Sequence, residues 1–186
     1  MSHLRKLKYH EQKLLKKTNF LEWKQDKSAR EATILHRYHI SRREDYQYYN
    51  RLLGKILSLT NQLGQLPQDD EFRIRMTEQL TEKLFNMGLL SDERSLAAVE
   101  KITASSFCRR RLPVVMVRLK MAQTITEADT LVRHGHVRVG TDLVSDPAYL
   151  VTREMEDYVT WVDSSKIKRH IMKYNDALDD FDLLGE

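Results

Sequence analysis

Cysteine, proline and glycine are all scarce in this chain. Its 186 residues include one cysteine, three prolines and six glycines. The single cysteine, Cys108, excludes an internal disulfide and fits a reducing compartment. We expect it to be a small buried apolar residue; a reactive thiol beside the neighbouring arginines is the alternative. No apolar run is long enough for a membrane-spanning helix, and the N-terminal residues lack the apolar core of a signal peptide.

Motifs that carry covalent chemistry are also missing. The sequence contains no Gly-rich phosphate loop, no cluster of His, Cys and Asp residues with metal-ligand spacing, and no nucleophile motif. His36 and His39 are three residues apart and would bind a metal only if further ligands converged on them, so ordinary histidines are the preferred interpretation. We therefore expect no enzymatic activity, no cofactor and no metal.

What the chain does have is charge, and the charge is segregated. The formal net charge is +4 overall, but it is +8 over residues 1–60, −4 over 61–100, +6 over 101–138 and −6 over 139–186. Alternating basic and acidic blocks are typical of nucleic-acid-binding proteins. A membrane surface is the competing partner, and no lipidation signal supports it.

The first basic block begins with a leucine- and lysine-rich segment. We expect it to be an arm whose cations follow RNA phosphates. The alternative is a solvated amphipathic helix packed by its leucines. The candidate RNA-binding residues of this arm are Arg5, Lys6, Lys8, Lys13, Lys16 and Lys17.

The second basic block centres on three consecutive arginines. Apolar residues at 112, 115, 116 and 119 follow helical spacing, and Pro113 belongs in a first turn, so the helix should begin between Arg109 and Leu112. The arginine triplet, Arg109 to Arg111, would then lie at a positive helix terminus, where a polyanion relieves the repulsion.

A second helix and a strand should follow. Thr124 and Glu127 form a capping box, Gly135 suits the end of a helix, and residues 136–139 alternate polar and apolar. The outward side chains of that strand, His136 and Arg138, are predicted to lie beside the triplet. The candidate RNA-binding residues of this block are Arg109, Arg110, Arg111, Arg118, Lys120, His136 and Arg138.

The remaining pattern predicts an α+β fold. Ser41 and Glu44 match a second capping box that opens the longest helix, in which Tyr49 lies on the apolar face and should pack in the core rather than stack on bases. We expect a basic N-terminal arm at 1–27, an α-helical region at 28–104, two helices packed on short antiparallel strands at 105–163, and a basic helix with an acidic tail at 164–186.

The segment from 105 to 140 resembles the S4 RNA-binding domain. That domain has the pattern R-L-D-x-x-x-x-R-L, a capped second helix, and then G-x-V-x-V-N-G. This chain reads R-L-P at 111–113, R-L at 118–119 and G-H-V-R-V-G at 135–140. It departs from the pattern at Pro113, which replaces the Asp, and at Gly140, where no Asn precedes the glycine.

The resemblance extends beyond one domain. The runs RKLKYHEQKLLKK, SRREDYQYYNRL, FCRRRLP and DPAYLVTREMEDYVTWVDSSKIKRH are similar to the eukaryotic ribosome-biogenesis branch of the ribosomal protein S4 family. That resemblance implies a nucleolar, non-enzymatic factor of the small-subunit processome. It also implies binding to U3 small nucleolar RNA and pre-ribosomal RNA, whose pairing the factor promotes. The implied protein partners are an M-phase phosphoprotein scaffold and a sister protein of the same complex.

Two other functions are compatible with a basic S4-like face. One is a structural ribosomal protein of the mature small subunit. The other is an RNA-modifying enzyme such as a pseudouridine synthase with an attached S4 domain, which would need a catalytic domain that we do not find in the sequence.

Overall fold

The computed structural model describes residues 5–17, 25–91 and 95–176 of the chain. Helices dominate it, and three short strands lie near the C-terminal side. The helices within the described residues are α1 (Tyr9–Lys17), α2 (Gln25–Arg37), α3 (Arg43–Gln65), α4 (Glu71–Asn86), α5 (Leu96–Glu100), α6 (Ala104–Arg109), α7 (Leu112–Arg118), α8 (Ile125–Arg133), α9 (Arg153–Glu156) and α10 (Lys166–Tyr174). The strands are β1 (Val137–Val139), β2 (Asp142–Leu143) and β3 (Val159–Trp161).

Helices α2 to α6 form one apolar core. Tyr49 of α3, Leu84 of α4, Val99 of α5 and Phe107 of α6 are all buried in it. The ring of Tyr49 stacks on that of Phe107 with centroids 5.8 Å apart and planes 7° from parallel. The expected packing role of Tyr49 is confirmed, and its ring fixes α6 against the long helix α3.

Helices α7 and α8 pack on the sheet and form a second core. The strand order is β2-β1-β3, with both neighbours antiparallel to β1. Val137 and Val139 point into this core, together with Met116 of α7 and Val132 of α8. The α+β fold, with a helical region ahead of two helices on short antiparallel strands, is confirmed.

A short extended segment joins the two cores. The Leu112 N–H donates to the Tyr149 carbonyl at 2.9 Å, and the Val151 N–H donates to the Arg110 carbonyl at 2.8 Å. Leu150 packs against the helical core, whereas Val151 is buried in the core beneath the sheet. Main-chain hydrogen bonds to residues 149–151 therefore hold the chain both before and after Arg111, at the break between α6 and α7.

Two of the predicted helix starts are confirmed and one is wrong. Helix α7 begins at Leu112 with Pro113 in its first turn, and the Thr124 hydroxyl accepts from the Glu127 N–H at 3.2 Å to cap α8. Helix α3 instead has Arg42 as its N-cap, without a side-chain cap. The Ser41 hydroxyl is occupied elsewhere, since it accepts from Arg133 Nη2 at 2.7 Å. The predicted acidic end of the tail, residues 177–186, lies outside the described residues.

Candidate nucleic-acid interface

The arginine triplet does not form one exposed face. Arg109 is exposed, but Arg110 and Arg111 keep only 5% and 3% of their surface accessible. The chain leaves α6 after Arg109 and enters α7 at Leu112, so the two middle arginines occupy the break between the helices. The prediction that both project from a helix N-terminus toward RNA is therefore wrong. Each is buried because it is paired with a carboxylate of this chain.

Arg111 joins the triplet to helix α3. Its Nη1 donates to Asp45 Oδ2 at 2.9 Å and to the Tyr49 hydroxyl at 3.3 Å. Burial raises the pKa of Tyr49, and the Tyr49 hydroxyl donates to the Ala148 carbonyl at 3.5 Å. Arg111 thus acts as a buried cross-link between the two cores.

Arg110 lies beneath a polar cavity. Its Nε donates to the Val151 carbonyl at 2.8 Å and its Nη1 to Glu156 Oε2 at 3.0 Å. Gly88 lies directly against the guanidinium, with a positive φ of +72°, and a Cβ there would come within 2.8 Å of Arg110 Cζ. Only glycine at 88 leaves room for Arg110 in this position.

Around the break between α6 and α7, fewer cations are exposed than the sequence predicts. Arg109 donates weakly to the Tyr38 hydroxyl at 3.4 Å and is otherwise open to solvent. The Arg118 side chain is 51% exposed while it pairs with Glu156, and Lys120 is exposed just beyond the end of α7. Of the candidate RNA-binding residues of the second block, these three are exposed, whereas His136 and Arg138 are half-buried.

His136 and Arg138 serve a different part of the molecule. Arg138 Nη1 donates to Asp163 Oδ2 at 2.6 Å, and its Nε donates to the Thr160 hydroxyl at 3.1 Å. Hydrogen bonding from Lys168 lowers the pKa of Asp163, and the charge of Arg138 acts in the same direction. His136 Nδ1 lies 3.0 Å from the hydroxyl of Ser165, the N-cap of α10. Among the described residues, neither side chain contacts the triplet.

The six candidate RNA-binding residues of the arm are all exposed. Helix α1 buries none of its residues. Arg5 pairs with Glu11 at 2.5 Å, and this hydrogen bond lowers the pKa of the Glu11 carboxyl. No ion pair within the described residues engages the other five cations, which are Lys6, Lys8, Lys13, Lys16 and Lys17.

Sequence reasoning missed the residues that complete the cavity. Arg153 donates from Nη2 to the carbonyls of Leu90 and Ser91, at 2.6 Å each, and its Cζ lies 4.0 Å from the centroid of the Phe85 ring. Glu156 bridges Arg110 and Arg118. One feature of the sequence could have indicated these partners. The triplet lies between the apolar pairs 107–108 and 112–113, which are buried, and arginines drawn into a core need carboxylate partners.

The described part of the chain has neither a cluster of metal-ligating side chains nor a membrane-spanning helix. No group of three or more His, Cys, Asp or Glu residues there is arranged to hold a metal ion. Within the same residues, no helix is both long and apolar enough to cross a lipid bilayer. Burial raises the pKa of Cys108 to about 11, so the thiol is an inert core group, as predicted.

Comparison with known proteins matches two regions of the chain to family models. Residues 6–109 match the ribosomal protein S4/S9 N-terminal domain, and residues 110–157 match the S4 domain. The U3 small nucleolar ribonucleoprotein protein IMP3 of Saccharomyces cerevisiae is 55% identical, across 96% of this chain and 98% of that protein. The Homo sapiens protein of the same name is 54% identical, across 97% and 98%. The small ribosomal subunit protein uS4 of Caldivirga maquilingensis is 30% identical, across 78% and 80%.

Proposed function

This chain belongs to the ribosomal protein S4 family, and on that premise we propose that it is a non-enzymatic RNA-binding factor of the small-subunit processome. In this role it binds U3 small nucleolar RNA and pre-ribosomal RNA and promotes their base pairing, ahead of early pre-rRNA cleavage and small-subunit assembly. The relatives named as U3 small nucleolar ribonucleoprotein proteins support the assignment, since each is covered over almost its full length.

The observation that carries the proposal is the state of segment 5–17. It holds six Lys and Arg residues against one Glu, and all six are exposed. Five of them make no ion pair within the described residues. Two RNA strands approaching each other are opposed by phosphate repulsion, and a helix of unpaired lysines neutralises phosphates on both strands at once. Arg109, Arg118 and Lys120 extend the basic surface at the junction.

The remaining partners follow from the same assignment. We propose nucleolar localisation, with the M-phase phosphoprotein scaffold and a sister protein of the complex as protein partners. The names of the relatives support membership of a ribonucleoprotein complex. Affinity purification of the tagged chain from nucleolar extract, followed by mass spectrometry, tests both partners.

An annealing assay tests the function directly. The full chain is mixed with a fluorescently labelled U3 fragment and its complementary pre-rRNA fragment, and duplex formation is followed by energy transfer. We expect annealing to be faster than for the RNAs alone, and to slow as salt is raised because counterion release weakens. A scrambled pre-rRNA strand is the control. An annealing rate unchanged by the protein at low salt would contradict the proposal.

A structural role in the mature small subunit is the second candidate. The match to an archaeal uS4 protein, at 30% identity over 146 residues, favours it. Sedimentation of cell extract separates the two functions, because a mature-subunit protein travels with translating ribosomes and a processome factor travels with pre-ribosomes.

A further inference from the structure

A cavity at the junction of the two cores has the composition of an oxyanion site. It has a volume of about 440 Å³, and four of the residues that line it are arginines, at positions 109, 110, 118 and 153. Glu156 is the one carboxylate among the described residues of that lining. Among these residues, four guanidinium groups around a single carboxylate leave an excess of positive charge facing water.

Two of the four guanidinium groups are held in place before any ligand arrives. Arg110 is fixed by the Val151 carbonyl, by Glu156 and by its close approach to Gly88. Arg153 is fixed by the carbonyls of Leu90 and Ser91. Ordered side chains lose little entropy when they bind, so a site of this kind favours a ligand with fixed acceptor geometry.

Glu156 shows that the cavity accommodates an oxyanion. One of its oxygens accepts from Arg110 Nη1 at 3.0 Å and the other from Arg118 Nη2. Arg110 Nη2 has no hydrogen-bond partner among the described residues, although its side chain is only 6% exposed. The donors therefore exceed the acceptors that the described residues supply, and a phosphate offers the same planar forks more oxygens than a carboxylate does.

We propose that this cavity binds one phosphate of an RNA strand together with its adjoining ribose. The inference rests on the proposed RNA-binding function and names where the strand enters the junction. The volume falls in the range of pockets that hold small molecules, larger than a phosphate alone requires. Arg109 and Arg118 of the lining are exposed, and Lys120, two residues after Arg118, is exposed as well, so further cations are available to the next phosphates of the same strand. A repeating polyanion fits this arrangement better than a single phosphorylated side chain does.

Glu156 then competes with the RNA phosphate for the same arginines. Removing its negative charge should therefore raise the affinity for RNA. Replacing it with Gln keeps a hydrogen-bond acceptor for Arg110 but removes the negative charge. We expect E156Q to bind a short single-stranded RNA about fivefold more tightly than E154Q, the order expected for one unit charge removed from the cavity that holds the phosphate. Glu154 is an exposed residue of the same short helix and lies outside the lining, so E154Q is the matched control.

A second pair of variants keeps the proposal testable if E156Q does not fold. Thermal unfolding of each variant shows whether it is folded. Arg109→Gln removes a cation at the opening and should weaken RNA binding by about fivefold relative to Lys101→Gln, an exposed cation outside the lining. Both measurements use the full chain and fluorescence anisotropy at one salt concentration.

Three outcomes would overturn the proposal. RNA binding in which both pairs of variants are indistinguishable removes the cavity as the site and leaves the proposed function standing. Tighter binding of E156Q to a phosphoserine peptide, without any gain for RNA, removes RNA as the occupant. A wild-type chain that binds no RNA at low salt overturns the cavity proposal and the proposed function together.

Discussion

The two basic segments of this chain carry similar charge and meet opposite environments. Segment 5–17 presents its lysines to solvent, and its helix α1 buries no residue. In the triplet, by contrast, two of three arginines are nine-tenths buried and each is paired with a carboxylate. The difference comes from the neighbours, since apolar core residues flank the triplet on both sides and none of residues 5–17 belongs to either core. Charge density along a sequence therefore does not locate charge on a surface.

The largest effect that separates the two segments should be on stability. We expect Arg111→Met to lower the free energy of unfolding by about 3 kcal/mol, because it leaves Asp45 without its partner at a largely buried site. Lys16→Met in the arm should change it by no more than about 0.5 kcal/mol. Urea unfolding monitored by circular dichroism measures both values.

The double variant Asp45→Leu with Arg111→Met sharpens this test. Replacing both members of a buried pair by apolar groups is often close to neutral, so most of the lost stability should return. Equal stability of the Arg111 and Lys16 variants would show that the buried pair contributes nothing that an exposed lysine does not.

The second effect should be on RNA affinity, and there the order of the segments reverses. Alanine at Lys13, Lys16 and Lys17 should reduce the slope of log affinity against log salt by about 2, at roughly 0.7 for each lost contact with a single strand. Unfolding should be unchanged because helix α1 buries no residue. Anisotropy titrations over a range of salt concentrations measure the slope.

The matched control removes the same charge elsewhere. Alanine at Lys166, Arg169 and Lys173 of α10 also deletes three exposed cations. A slope that falls equally in both triple variants would mean that net charge, and not the arm, governs RNA binding.

The smallest effect concerns the thiol beside the triplet. Burial raises the pKa of Cys108 from 9.0 to about 11, against the opposing influence of Arg111. Because the folded value is the higher one, the contribution of this group to stability is fully present below pH 9 and is lost as pH rises toward 11. At pH 10 the wild-type chain should have lost about 1.4 kcal/mol relative to its value at pH 7, a loss that Cys108→Ala should not share.

Lysines and tyrosines also titrate in this pH range. Subtracting the stability profile of Cys108→Ala from that of the wild type leaves the contribution of the thiol alone. Thermal unfolding of both proteins between pH 7 and 10.5, in about half-unit steps, provides it. Parallel profiles would mean that the field of the arginines offsets burial and that the triplet region is wetter than its packing indicates.

Local patterns predicted the elements around the site well. Pro113 limited the start of α7, the Thr124 hydroxyl capped α8, and alternation at 136–139 gave β1. Each of these signals acts within one helical turn or one strand, so a single sequence contains all of it. The S-x-x-E match at Ser41 failed, since Arg42 is the N-cap of α3 and the Ser41 hydroxyl accepts from Arg133, 92 positions away.

The candidate interface was less predictable than the fold. The arm residues and Arg118 with Lys120 are exposed as expected, but whether they bind RNA stays a prediction. His136 and Arg138 were expected beside the triplet, and instead they contact Ser165, Thr160 and Asp163. The division of the chain at residues 27, 104 and 163 also stays a prediction.

The sequence by itself determined the start of α7, the cap of α8, strand β1, the segregation of charge and the burial of Cys108, because each depends on neighbours within a few residues. Only the tertiary structure decided which cations face water. Asp45 lies 66 positions from Arg111 and Glu156 lies 46 from Arg110, and in both cases folding brings carboxylate and guanidinium within 3 Å. The free energy of a charge depends on every group within a few ångströms of it, and that set of neighbours exists only once the chain has folded.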